Sequence, residues 1–75
     1  MDKKKFLKIF EMAIESEEII EITIKISGLM GPEYTTFERE KFNEMYEYYK
    51  NNSDKRMKLK PYYINQVSEI DFKIK

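Results

Sequence analysis

The chain has 75 residues, enough for one small domain spanning residues 1–75. Fourteen Lys and Arg balance fourteen Asp and Glu, and the 41% hydrophobic content can supply a packed core despite 37% charged residues. The absence of Cys excludes disulfides and thiolate zinc sites, and the absence of His excludes mechanisms that need an imidazole. No apolar run approaches the ~20 residues of a membrane span. The basic start is soon followed by Glu11 and Glu15, so it does not read as a signal peptide, and a cytoplasmic location is expected.

Residues 2–15 read as a helix. Phe6, Ile9, Phe10, Ala13 and Ile14 recur at helical spacing, and Asp2 is placed to cap the start. Residues 19–27 read as a strand. Ile20, Ile22, Ile24 and Ile26 alternate with Glu21, Thr23, Lys25 and Ser27, which gives one apolar and one wet face. Gly28, Gly31 and Pro32 then punctuate the chain. Thr35-Thr36-Phe37-Glu38 has the form of a capping box, which predicts a helix from there to about Lys50. Its stripe is Phe42, Met45, Tyr46 and Tyr49.

Residues 57–74 read as a hairpin, from Met57 to Tyr63 and from Val67 to Ile74, turning at Asn65-Gln66. A single strand bent at Pro61 is the rival. Antiparallel pairing of residues 20–26 with 68–74 matches Ile22 to Phe72 and Ile24 to Ile70. It also matches Glu21 to Lys73 and Lys25 to Glu69. This arrangement makes the last strand central and predicts a parallel, right-handed crossover between the first and middle strands. The expected fold is therefore α+β and two-layered. An N-terminal helix precedes a split β-α-β-β unit, with a three-stranded antiparallel or mixed sheet and both helices on one face. Ile22, Ile24, Phe10, Phe42, Met45, Ile70 and Phe72 are the expected core.

Catalysis finds little support in the residues. The serines have no imidazole to activate them, and Gly28-Leu29-Met30-Gly31 lacks the lysine and hydroxyl of a phosphate loop. Glu69 and Asp71 share the wet face, where pairing with Lys25 and Lys73 accounts for them without a metal. No enzyme, cofactor or metal site is expected.

Two surfaces suggest binding. Leu29 and Met30 lie between glycines, where polar residues are usual. Either they fold over the end of the core or they form an apolar tip. In the register above, Tyr62, Ile64 and Val67 gather on the outer sheet face at that same end, and Tyr34 follows in the loop. Leu29, Met30, Tyr34, Tyr62, Ile64 and Val67 are thus the candidate partner-binding patch. The second surface is Lys55, Arg56, Lys58 and Lys60, a basic edge flanked by Tyr62 and Tyr63, which suits nucleic acid or a nucleotide. Overall neutrality weighs against that use. Charge is segregated along the chain, with five Glu and no Lys or Arg in residues 11–21. Such separation can steer a partner.

The composition adds a class-level likeness. Twelve Lys against two Arg, with ten Ile, suggests an AT-rich genome. A chain of this size and composition looks like the small accessory proteins of phages and mobile elements. That likeness implies a non-catalytic binder that inhibits a larger host protein or protein complex by direct contact, a host defence protein being one such target. The alternatives are a small nucleic-acid or nucleotide binder and a homodimer that sequesters a small ligand. No membrane partner is expected.

Overall fold

The computed structural model describes residues 1–51, the backbone at 58–59 and 62–63, and residues 64–75. The elements run α1 (Lys3–Glu15), β1 (Ile19–Gly28), β2 (Gly31–Glu38), a 3-10 turn (Arg39–Lys41) and α2 (Phe42–Asn51). The short strands β3 (Lys58–Leu59) and β4 (Tyr62–Tyr63) follow, then a 3-10 turn (Ile64–Gln66) and β5 (Val67–Ile74).

α1 begins as the sequence implies. Asp2 is extended, and its carboxylate accepts a hydrogen bond from the Lys5 backbone N–H at 2.8 Å. That bond satisfies one of the orphan donors of the first turn, and such a cap contributes about 1 kcal/mol. Phe6, Phe10 and Ala13 form the buried stripe of the helix.

β1 presents Ile22, Ile24 and Ile26 to the core. Its pairing with β5 is antiparallel and joins Ile22 to Phe72, Ile24 to Ile70, Glu21 to Lys73 and Lys25 to Glu69. These are the pairs expected from matching apolar and charged positions. At the far end Ile19, not Ile20, faces Ile74, because the register shifts between Ile19 and Glu21.

The α+β class, the two helices and the three-stranded antiparallel sheet are as expected, but the strand order is not. The order is β2-β1-β5, so β1 is central and the last strand lies at an edge. The cause is the stretch after Gly28. Residues 31–38 do not form a loop and a helix start. They return along β1 as a strand, with Ile22 opposite Phe37, Thr23 opposite Thr36 and Lys25 opposite Tyr34. Thr35 and Thr36 are β-branched and suit a pleated surface, and the Thr23 and Thr36 hydroxyls meet at 3.1 Å. The capping-box pattern is therefore overridden. Glu38 precedes the 3-10 turn without capping it, and α-helical geometry begins at Phe42.

Both pairings in the sheet are antiparallel, so β2 and β5 run parallel on either side of β1, and α2 lies between them in the chain. The split β-α-β crossover is kept, but it starts from β2 and not from the first strand, and the element order is α-β-β-α-β. The expected middle strand is absent from this sheet. Lys58 and Leu59 pair instead with Tyr63 and Tyr62 in a separate two-stranded ladder. Met57 and Pro61 lie outside the described residues.

The core joins Phe6, Phe10 and Ala13 of α1 and Phe42 and Tyr49 of α2 to Ile22, Ile24 and Ile26. Both helices thus cover the isoleucine face. The Phe6 and Tyr49 rings meet edge-to-face at 5.2 Å, and Phe6 and Phe10 are 5.3 Å apart. Met45, Ile70 and Phe72, expected in the core, pack against this cluster but are only partly buried. For Ile70 and Phe72 the reason is the edge position of β5. Among the described residues, no helix is long and apolar enough to cross a membrane.

Candidate interaction surface

The β1–β2 hairpin closes with Gly28 opposite Gly31, leaving Leu29 and Met30 as its tip. Gly31 has φ 118, which a residue with a side chain rarely adopts. No atom lies within 4 Å of where its Cβ would sit, so the requirement is conformational and not steric. Leu29 is 99% exposed and Met30 100%. Of the two arrangements open to these residues, the projecting tip is the one adopted. Tyr34, 62% exposed, stands four residues beyond Met30 at the position opposite Lys25.

Behind the tip the outer sheet face is polar. Its rows are Tyr34, Lys25 and Glu69, then Thr36, Thr23 and Asp71, then Glu38, Glu21 and Lys73. Glu21 and Glu38 oppose each other as like charges, with Lys73 on the other side of Glu21. The Lys25 Nζ and Glu69 Oε2 atoms are 4.0 Å apart and solvated, so this pair adds little stability. No group of three or more potential metal-ligating side chains occurs among the described residues.

The remaining predicted patch residues fare differently. Ile64 and Val67 are 2% and 3% exposed and belong to the core, not to an outer patch. For Val67 the cause is a second register shift, between Lys25 and Ile26. It sets Val67 opposite Ile26, where Ser27 was expected, and so turns Val67 inward. Ile64 is carried inward by the 3-10 turn that replaces the expected Asn65-Gln66 hairpin turn. Tyr62 lies in β4, but its side chain is outside the described residues. So are the side chains of the whole basic stretch, Lys55, Arg56, Lys58 and Lys60. Of the six residues, Leu29, Met30 and Tyr34 are the ones seen exposed.

Arg39 carries a structural role that the residue pattern gave no hint of. Its Nη1 donates to the carbonyl oxygens of Ala13, Ser16 and Ile19 at 3.3, 2.8 and 2.7 Å. Its Nη2 donates to that of Ile14 at 2.7 Å. The last turn of α1 has no basic residue of its own, so this guanidinium supplies the positive charge that the helix C-terminus favours. The same group lies 5.5 Å from the centre of the Phe42 ring. One side chain therefore locks the α1–β1 turn to the start of α2. The only sequence signal was rarity, since Arg39 is one of two arginines.

Two tyrosines are perturbed. The Tyr46 hydroxyl donates to Glu11 Oε2 at 2.8 Å, and this bond, followed by desolvation and nearby carboxylate charge, raises its pKa. Burial raises that of Tyr49. Both effects favour the neutral phenol and clip α2 to α1. Against known proteins, no family model, no characterised protein and no solved structure matches this chain.

Proposed function

We propose that this protein is a non-catalytic binding protein that acts by direct contact with a larger protein, using Leu29, Met30 and Tyr34 of the β1–β2 hairpin. The observation that carries the reading is the full exposure of two adjacent large apolar side chains at a glycine-bounded tip. Each forgoes roughly 1.5–3 kcal/mol of burial in the isolated chain, which a partner pocket can recover. The polar outer sheet face supplies a rim of the kind that surrounds an apolar anchor. The small size and the Lys- and Ile-rich composition support the narrower reading, an accessory protein of a phage or mobile element that inhibits a host protein.

The test is a comparison of the wild-type chain with a Leu29→Ser, Met30→Ser variant. Both are immobilised and exposed to host lysate, with and without nuclease. A captured protein is then purified and its binding to both chains measured. The reading expects stoichiometric, nuclease-resistant binding that the variant loses while its thermal transition is unchanged. Equal binding by both chains removes the tip from the interface. Capture abolished by nuclease favours nucleic acid instead.

A further inference from the structure

We infer that two copies of this chain pair antiparallel along their β2 strands, joining two three-stranded sheets into one continuous sheet. β1 lies between β2 and β5, so each outer strand has one edge without a strand neighbour among the described residues. The two edges are not equivalent. The pairing of β5 with β1 is interrupted by two register shifts, and the strand carries Glu69, Asp71 and Lys73. Irregular register and charged side chains are the devices that keep sheet edges from associating. β2 runs eight residues in unbroken register with β1 and contains no Lys or Arg. Its proline, Pro32, sits beside the turn and removes a donor only there. Residues 34–37 are therefore an edge stretch without charged side chains, flanked by Glu33 and Glu38.

The strand is also compatible with itself. A two-fold axis normal to the sheet keeps core-facing residues opposite core-facing residues, so even positions oppose even and odd oppose odd. Glu33 and Glu38 are of opposite parity, and no such register sets one against the other. With the axis near Tyr34 or Thr35, neither Glu opposes its own copy. Centred on Thr35, Tyr34 faces the partner's Thr36 and Glu33 faces the partner's Phe37. Each Leu29–Met30 tip then runs past the end of the neighbouring strand, alongside the partner's Arg39–Lys41 turn. The long stems of Glu40 and Lys41 in that turn can cover apolar surface while their heads stay wet. A single association thus covers both the open edge and the open tip. It stands independently of the larger partner proposed above, with which it would compete for the same hairpin.

The experiment uses the untagged full chain. Sedimentation from low micromolar concentration to the solubility limit is expected to show a reversible monomer–dimer equilibrium. Tyr34→Lys with Thr36→Lys places like charges opposite each other twice across the axis. It is expected to raise the dimer dissociation constant by about tenfold with an unchanged circular-dichroism melt. Because the chain has no cysteine, single Tyr34→Cys, Thr35→Cys and Thr36→Cys variants report register directly. Oxidation is expected to cross-link the variant on the axis far more than its neighbours. A monomer at every concentration overturns the inference. So does a dimer insensitive to the lysine pair with no cross-linking preference. Should the double variant unfold, the cysteine series decides alone. Loss of the larger partner's binding in a variant that still dimerises bears on the functional proposal and not on this one.

Discussion

Replacing Arg39 with Ala is the most informative single perturbation of this fold. The side chain makes hydrogen bonds of 2.7, 2.7, 2.8 and 3.3 Å to four carbonyl oxygens at the end of α1 and the turn into β1. A hydrogen bond to a charged group contributes a net ~1.5–3 kcal/mol in isolation, but bonds sharing one guanidinium are not additive. The site is only partly buried, so water can replace some partners. Interaction with the helix terminus contributes at most about 2 kcal/mol and overlaps with the bonds themselves. A loss of about 3 kcal/mol is the reasonable total. A domain of this length has only about 4–11 kcal/mol of stability at 0.05–0.15 kcal/mol per residue. The expected fall in Tm is then about 12–24 °C. Arg39→Lys should fall between, at about 1–2 kcal/mol, because an ammonium cannot span four acceptors in a planar fork. The assay is thermal and urea unfolding of the three proteins, with the denaturant slope as a check that the unfolded state is unchanged. A Tm for Arg39→Ala within about 4 °C of wild type would show that the α1–β1 turn holds without its clamp.

The edge position of β5 makes Phe72→Ala cost about 1.5–2.5 kcal/mol, below the ~3–5 of a fully buried phenylalanine, while Ile24→Ala in the central strand costs ~2–5 kcal/mol. Urea denaturation ranks the two, and the reverse order would contradict the strand order. Val67→Ser should destabilise by more than about 1 kcal/mol, whereas Leu29→Ser should stay within about 0.5 kcal/mol of wild type. Equal melts for these two variants would mean that the inward turn at Val67 is wrong. Tyr46 and Tyr49 both have raised pKa values, so the folded state keeps their phenols neutral where the unfolded chain ionises. Their contribution to stability is complete below the ordinary tyrosine value of about 10 and is lost as pH rises through the folded values. Ultraviolet titration should show Glu11→Gln lowering the Tyr46 midpoint, and an unmoved midpoint would deny the 2.8 Å bond its role.

Much of the fold was legible because its signals were redundant. In β1 the isoleucine alternation and the charge alternation fall in phase. The antiparallel register with residues 69–73 satisfies both, and it is the register found. α1 was equally over-determined, by its stripe and by the Asp2 cap. Pattern and structure part after Gly28-Leu29-Met30-Gly31, where two local signals conflict. Thr35 to Glu38 has the spacing of a capping box, yet the same residues are β-branched and aromatic. What decided between them was the unpaired second edge of β1, a tertiary feature that no local window contains. Once β2 took that edge, β5 was displaced to the rim, and Phe72 and Ile70 lost part of their cover.

The outer face departs from the residue pattern for a different reason. A strand pattern has period two, so a shift of one residue exchanges the faces of everything beyond it. The shift between Lys25 and Ile26 does this to Val67 and leaves the alternation of β5 from Glu69 onward untouched. No residue type announces it, since neither glycine nor proline marks the spot. Ile64 and Val67 thereby close the end of the core that Leu29 and Met30 could otherwise have covered. The two facts are linked. Because residues from the β5 side fill that end, the β1–β2 tip has no internal site to fold into, and its apolar side chains stay available to another molecule.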